Sequence, residues 1–224
     1  MNKKGDTQQT GYQQTHAERH KLMLKDIIKL AGSDKLVCNI GISSFDELAV
    51  NYLGDRYYCA VPNIEFLKSL SRLSVSKQNI IYYDITKDNL ELNSKFDLVI
   101  FAETLEHIFE DDKIVMRSVA NLLRPNGLIY LTVPNAARHI NRMKLLFVKN
   151  IFWSKYDILN GVYGGYGHIR EYTVTEVKSI LDEYFDLKQI YGFSPYGSKF
   201  IRTALNLLPT SWQSTIVSIG KKRP

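Results

Sequence analysis

The chain has 224 residues, 45% of them hydrophobic and 23% charged, and its formal net charge is +6. These values are typical of one globular domain with a sizeable core, and the chain is short for two domains. No apolar run approaches the roughly 20 residues that span a bilayer, and the N-terminus lacks the apolar core of a signal peptide. No zinc-ligand spacing, Walker loop or RNA-binding signature is present, so the sequence predicts no resident metal site and no nucleic-acid partner.

The two cysteines indicate the cellular compartment of the protein. Cys38 and Cys59 both stand in apolar, strand-like runs. This placement favours two buried free thiols in a reducing compartment over a disulfide bridge. We therefore expect a cytoplasmic protein.

The chain begins with a polar stretch and then alternates strands with helices. Residues 1–14 lack periodicity and are predicted to be a mobile tail, with a single domain over 15–224. The predicted strands are Leu36–Ile40, Tyr57–Val61, Asn79–Tyr83, Phe96–Ala102, Leu128–Val133, Phe185–Tyr191 and Thr215–Gly220. Helices are predicted over residues 15–31, 44–53, 62–70, 112–123, 173–184 and 198–208. Such alternation predicts βαβ units and a mostly parallel sheet.

The first predicted strand leads into a turn and a capped helix. Gly41 provides the turn, and Ser44-Phe45-Asp46-Glu47 has the spacing of a capping box. A turn of this kind places backbone N–H groups and a positive helix end at the edge of the sheet where ligands bind. An ordinary strand–helix turn has the same appearance.

The stretch Phe96–Ile108 changes character halfway. An apolar run suited to a strand buried on both faces is followed at once by Glu103, Glu106 and His107. Acids and an imidazole directly after a buried parallel strand indicate the carboxyl edge of the sheet, where open α/β folds bind ligands. Asp84, after the third strand, is a second candidate for a ligand-binding residue. It could accept a hydrogen bond from an exocyclic amine such as that of adenine, or it could form an Asx turn.

A long segment, Ala136–Glu171, interrupts the alternation. Its first part, residues 136–156, carries five Lys or Arg and no acid, and four apolar residues share one helical face: Ile140, Met143, Phe147 and Ile151. A basic amphipathic helix suits a membrane surface or a lipid-linked acceptor, and it equally suits a lid helix packed on the sheet edge. The loop Gly161–Gly167 is predicted to be a mobile closure over the acceptor.

The order of these motifs resembles that of class I S-adenosylmethionine-dependent methyltransferases. The resemblance is carried by I-G after the first strand, D-I-T after the third, F-D-L-V-I-F-A-E-T-L-E-H-I, L-L-R-P-N-G-L-I-Y-L-T-V-P-N and G-H-I-R-E-Y-T. It covers about residues 36–185 and is closest to the ubiquinone-biosynthesis-like and glycan-cluster types. It implies a Rossmann-like α/β fold with helices on both faces of a seven-stranded sheet whose last strand is antiparallel. S-adenosylmethionine would lie across the carboxyl edge.

The resemblance also implies roles for individual residues. Those placed at the cofactor are Asn39, Gly41, Ser43, Asn63, Asp84, Ile85, Ala102 and Thr104. His107 is the first choice for a catalytic base, with Glu103 orienting it from a shared helical turn, and His168 is the second choice. The glycine-rich loop is degenerate, because only Gly41 remains of it. Ala60-Val61-Pro62-Asn63 stands where the family usually has the acid that binds the ribose.

We therefore expect a methyltransferase that acts on a hydroxyl of a sugar, a glycan precursor or another small molecule, as in polysaccharide biosynthesis. The alternative is a catalytically silent member that keeps the fold as a binding or scaffold module, for which the degenerate loop argues. A third hypothesis is peripheral contact with the inner face of the membrane, or with a lipid-linked substrate, through residues 138–156. The sequence leaves the oligomeric state open.

Overall fold

The computed structural model describes residues 3–69, 79–87, 94–152, 154, 156 and 168–224, and for residues 3–16 and 67–69 it describes the backbone only. Its strands are β1 (Val37–Ile40), β2 (Tyr57–Val61), β3 (Ile80–Tyr82), β4 (Phe96–Ala102), β5 (Leu123–Pro134), β6 (Phe185–Phe193) and β7 (Thr215–Lys222). They form one seven-stranded sheet in the order β3-β2-β1-β4-β5-β7-β6. Strands β1 to β5 pair in parallel, and β7 is antiparallel to both β5 and β6. The predicted Rossmann-like sheet with an antiparallel last strand is confirmed.

Helices cover both faces of this sheet. They are α1 (Lys3–Ala31), α2 (Ser44–Leu53), α3 (Ile64–Ser69), α4 (Asp112–Leu122), α5 (His139–Leu146), α6 (Val174–Asp182) and α7 (Lys199–Asn206). Alternate residues of β4 point to opposite faces: Val99 and Phe101 pack with α4 and α6, whereas Leu98 and Ile100 pack with α1 and α2. This period of two is the geometry of a strand that is buried on both sides.

Three of the element boundaries that differ from the prediction have a physical explanation. Helix α1 begins at Lys3, inside the stretch predicted as a tail. The prediction relied on an apolar stripe, but Lys and Gln are good helix formers and can extend a helix without one; the mobility of residues 1–14 stays a prediction. Strand β5 begins at Leu123, because Leu123 pairs with Phe96 before the register shifts at the predicted turn. Helix α2 is capped by Ser43, one residue before the predicted cap.

Both cysteines are free and buried among the strands, as predicted. Burial raises the pKa of each thiol far above its ordinary value, and for Cys59 the neighbouring Asp46 carboxylate adds to the shift. Both are therefore unreactive core residues. Among the described residues, no helix has the length and apolar character needed to cross a membrane.

Candidate active site

The carboxyl ends of β1 and β4 meet at the centre of the sheet. Gly41 follows β1 with φ 95° and donates its backbone N–H to Ala60 O at 2.8 Å. A Cβ atom at Gly41 would lie 3.8 Å from Thr104 Oγ1, which follows β4. Thr104 in turn donates to Ala102 O at 2.9 Å. The structure thus brings together Gly41, Ala102 and Thr104, three of the residues predicted to contact the cofactor, and the missing side chain at position 41 leaves room above the edge for a ligand.

A buried carboxylate holds this turn in place. Asp46 is fully buried, and its Oδ1 accepts from Asn39 Nδ2 at 2.8 Å, from Tyr57 Oη at 2.6 Å and from Cys59 Sγ at 3.2 Å. Its Oδ2 accepts from the backbone N–H of Ser43 at 2.6 Å. One side chain therefore ties α2 and the loop after β1 to β1 and β2, and it acts as the organising centre of the loop.

Sequence reasoning missed the role of Asp46, although Ser43-x-x-Asp46 is itself a capping-box spacing. The predicted box over 44–47 is wrong by one residue, because Asp46 is fixed by donors on β1 and β2 that no local pattern shows. Two predicted cofactor residues, Asn39 and Ser43, lie at this loop, but their side chains bind Asp46. In the structure, these contacts fix the position of the backbone around Gly41.

The residues predicted to hold the nucleoside lie at the ends of β2 and β3 and also make local contacts. Asp84 Oδ1 accepts from Thr86 N at 3.1 Å and from Thr86 Oγ1 at 2.6 Å, which is the Asx-turn alternative. Burial acts to raise the pKa of Asp84, but the hydrogen bonds from Thr86 and Lys87 outweigh it and hold the pKa below the ordinary value. Asn63 Oδ1 accepts from Phe66 N at 2.8 Å and so caps α3. Ile85 is buried in the core.

The structure does not support the predicted pairing of Glu103 with His107. Glu103 has φ 49° and precedes the short 3₁₀ turn Leu105–His107, so the two residues do not share a helical turn. Its carboxylate instead accepts from Arg19 Nη1 of α1 at 2.6 Å and from Thr132 Oγ1 of β5 at 3.1 Å. Glu103 therefore ties α1 to the edge of the sheet. Arg19 is a further site residue that sequence reasoning missed, since only the fold places it there.

His107 is paired with the other predicted histidine. The rings of His107 and His168 stack edge to face with centroids 5.1 Å apart. Backbone hydrogen bonds bring them together: Ile169 N donates to Glu106 O at 2.9 Å, so the segment that carries His168 is fixed to the turn that carries His107. The side chain of His107 is 43% exposed and that of His168 is 20% exposed. The two histidines form one solvent-accessible group beyond the carboxyl end of β4.

His168 has an orienting partner in Glu171. Its Nδ1 lies 3.1 Å from Glu171 Oε1, and the other carboxylate oxygen accepts from Arg138 Nη1 at 2.6 Å. Burial acts to raise the pKa of Glu171, but His168 and Arg138 outweigh it and hold the pKa below the ordinary value. An ionised Glu171 can only accept, so Nδ1 is the donor and the lone pair of neutral His168 lies on Nε2.

Glu106 is the least satisfied polar group near these histidines. The residue is 1% exposed, and neither carboxylate oxygen has a hydrogen-bond partner among the described residues; His107 Nε2 lies 3.9 Å from Oε1. Burial raises its pKa well above the ordinary value, and the negative charge of Glu103 adds to the shift. One ligand atom from each of Glu106, His107 and His168 fits within a group whose members are all within 4.8 Å of one another.

The insert begins with α5, which is shorter than predicted. The helix ends at Leu146, and Val148 has φ 54°, so the apolar face predicted to extend through Ile151 is interrupted. Exposed apolar or aromatic side chains lie along the helix and beyond its end; they are Ile140, Met143, Leu145, Leu146, Phe147, Val148, Phe152 and Tyr156. Trp153, Lys155 and the loop Gly161–Gly167 lie outside the described residues.

Comparisons with known proteins identify the family and the fold. A family model described as "Methyltransferase domain" matches residues 29–186. A search of curated protein sequences finds no significant match.

Solved structures give the fold independently. The N-methyltransferase NodS from Bradyrhizobium japonicum, crystallised with S-adenosyl-L-homocysteine, is 14% identical with a TM-score of 0.56 over 94% of this chain and 88% of its own. An S-adenosylmethionine-dependent methyltransferase from Mesorhizobium loti is 17% identical with a TM-score of 0.58 over 89% and 95%. One from Archaeoglobus fulgidus is 16% identical with a TM-score of 0.56 over 91% and 94%. The chain belongs to the methyltransferase domain family, and S-adenosylmethionine is its expected cofactor.

Proposed function

We propose that this protein transfers the methyl group of S-adenosylmethionine to a hydroxyl of a sugar, a glycan precursor or another small acceptor. The observation that supports this most is the His107–His168 pair, held at the edge of the sheet just beyond Gly41 and Thr104. A hydroxyl is a weak nucleophile, and an imidazole that titrates near neutral pH is suited to accept its proton. The motifs of the chain resemble glycan-cluster members, which is why we place the acceptor among sugars and glycan precursors.

Bound S-adenosylmethionine supplies a sulfonium-activated methyl group. The O–CH₃ bond forms as the S–CH₃ bond breaks, and S-adenosylhomocysteine leaves. The protein mainly has to align the acceptor oxygen with the methyl group, because in-line displacement depends on positioning. We propose Gly41, Ala102 and Thr104 as the cofactor cradle, with the loop around them held by Asp46. Asn39, Ser43, Asn63, Asp84 and Ile85 remain proposed cofactor contacts that also have local structural roles.

We propose His107 as the residue that accepts the proton from the hydroxyl. It is the more exposed of the two imidazoles, while His168 is fixed by Glu171. The variant His107→Asn keeps a polar group of similar reach but cannot act as a base near neutral pH. His139→Asn is the matched control, since His139 lies at the start of α5 and contacts Trp212 O.

The test is a methyl-transfer assay that detects S-adenosylhomocysteine across a panel of sugars, glycan precursors, phenols and amines. We expect turnover with a hydroxyl acceptor, a fall in kcat of about 10²–10⁴-fold in His107→Asn, and an unchanged rate in His139→Asn. Turnover restricted to amines and independent of His107 would contradict the proposal, because an unprotonated amine attacks without a base.

A second candidate is a silent member of the family that serves as a binding module. It is favoured by the local contacts of Asp84 and Asn63, which engage side chains predicted to bind the nucleoside. A silent member would show no turnover and weak or no binding of S-adenosylmethionine, whereas the enzyme shows both turnover and binding.

We further propose that the insert contacts a membrane surface or a lipid-linked acceptor. Val148 is 95% exposed, and Leu146, Phe147 and Phe152 are exposed close to it in the sequence, beside the basic residues of this segment. Apolar side chains flanked by lysines suit the headgroup boundary of an anionic membrane. In flotation, vesicles with anionic lipid should recover the protein, and the variant Leu146→Ser/Phe152→Ser should lose recovery. Equal recovery of both proteins would exclude this role.

A further inference from the structure

The group formed by Glu106, His107 and His168 presents one carboxylate and two imidazoles to a common point. One ligand atom from each residue lies within 4.8 Å of the others. Two of the residues are adjacent in the 3₁₀ turn after β4, and the third is attached to that turn by the hydrogen bond from Ile169 N to Glu106 O. Their convergence is thus set by the backbone of two separate segments.

Glu106 provides an independent observation that points to a ligand. Both of its carboxylate oxygens are buried and have no hydrogen-bond partner among the described residues. A buried carboxylate without a partner is costly, and natural proteins pair such groups or bind them to metal ions. Arg19 attracts Glu106 electrostatically, but its Nη1 donates to Glu103 at 2.6 Å.

The surroundings of His168 match those of a metal-binding histidine. Its Nδ1 is held by Glu171, and Glu171 is held by Arg138, so the lone pair of Nε2 is the one that can bind an ion. A carboxylate behind a ligating imidazole fixes the ring and raises its basicity, which is the usual second layer of a metal site.

We propose that Glu106, His107 and His168 bind a divalent transition-metal ion at the acceptor side of the site. Two imidazoles and a carboxylate suit ions such as Mn²⁺ or Zn²⁺ better than Mg²⁺ or Ca²⁺, which prefer oxygen ligands. Three protein ligands leave further coordination positions for an acceptor hydroxyl.

This inference deepens the proposed function and, in its catalytic part, rests on it. With the ion bound, His107 is a ligand, and the ion takes over the activation that we otherwise assign to His107. It lowers the pKa of the hydroxyl, whose proton passes to solvent while the oxygen attacks the methyl group. The sequence predicts no metal site because its residues match no known spacing of zinc ligands. Glu106 and His107 are adjacent, and His168 follows far along the chain.

The test is titration of the chelator-stripped full chain with Mn²⁺ and with Zn²⁺, followed by calorimetry and, for Mn²⁺, by electron paramagnetic resonance. Neither measurement needs cofactor or acceptor. We expect one ion per chain for the wild type, and affinity reduced at least about 100-fold in Glu106→Gln and His168→Ala. Glu171→Gln should lose about 10–100-fold, since it removes only the support of a ligand. His139→Asn is the control and should bind normally.

Circular dichroism of each variant confirms folding before titration, and Glu106→Gln removes a buried carboxylate without changing its size. Absence of one-to-one binding by the wild type, or equal affinity in Glu106→Gln, would overturn the inference. Failure of the proposed function has a different result: the metal would bind, but no methyl transfer would occur. If methyl transfer occurs at full rate with chelator and no ion binds, the function stands and the metal site is wrong.

Discussion

Replacement of Asp46 by Asn tests whether this buried carboxylate organises the loop after β1. The substitution keeps the shape of the side chain and removes its charge. Four residues donate to the carboxylate, three of them to Oδ1 (Asn39, Tyr57 and Cys59), while Ser43 donates its backbone N–H to Oδ2. The amide of Asn has one acceptor oxygen, so its NH₂ group must face either the three donors to Oδ1 or the N–H of Ser43.

The magnitude follows from the hydrogen bonds that are lost. With the amide oxygen in the Oδ1 position, the bonds from Asn39, Tyr57 and Cys59 are kept, and the NH₂ group faces the backbone N–H of Ser43, a donor that cannot be reversed. At least one hydrogen bond to the carboxylate is therefore lost. Hydrogen bonds to a charged group contribute about 1.5–3 kcal/mol each, so the free energy of unfolding should fall by at least about 1.5–3 kcal/mol. For a chain of this size, this corresponds to a fall in Tm of about 3–12 °C.

The assay is thermal and urea unfolding of the wild type and Asp46→Asn, with Glu47→Gln as the control. Glu47 is the next residue of α2 and is exposed, so the same chemical change there should cost less than about 0.5 kcal/mol. A loss below about 1 kcal/mol in Asp46→Asn, or a loss equal to that of the control, would refute the idea that Asp46 organises the loop.

Three further predictions concern other parts of the fold. Gly41→Ala should cost about 1–2 kcal/mol, because φ 95° is unfavourable for a residue with a Cβ, and it should weaken S-adenosylhomocysteine binding in calorimetry. Arg19→Met should lower the free energy of urea unfolding by about 1.5–3 kcal/mol, because it leaves the half-buried Glu103 without its cation; an unchanged value would contradict the role of α1 at this edge. In Glu176→Gln, the side chain can still accept from Thr173 in the capping box of α6, but its charge is lost. Hydrogen bonds from Thr173 and Arg170 outweigh burial and lower the pKa of Glu176, so its stabilising contribution is present above about pH 4.3 and is lost as pH falls through the lowered value. Unfolding of Glu176→Gln and wild type should therefore differ at pH 7 and converge at about pH 2.

Much of the fold could be predicted because its signals are local. The apolar run Phe96–Ala102 is a strand with the predicted bounds, and Thr173 caps α6 as its spacing predicts. Buried parallel strands are uninterrupted runs of apolar residues, and a capping box involves only four consecutive residues.

The site could be predicted only in part, because long-range contacts decide its details. The sequence indicates His107 and His168 as separate candidates, and only the fold shows that their rings are in contact. The predicted pairing of Glu103 with His107 is wrong, because the left-handed backbone of Glu103 directs its carboxylate to Arg19 and Thr132. Neither contact could be predicted from the local sequence. The sequence does not distinguish Glu106 from the other polar residues after β4, and only the structure shows that it is buried.

The central claim is that this chain is a working S-adenosylmethionine-dependent enzyme and not a silent relative. Titration calorimetry with S-adenosylmethionine and S-adenosylhomocysteine, together with thermal unfolding in their presence, tests it most directly. We predict one-to-one binding and a stabilisation of about 2.7 kcal/mol when the ligand is at 100 times its Kd. The absence of heat and of thermal stabilisation at millimolar ligand would contradict the claim.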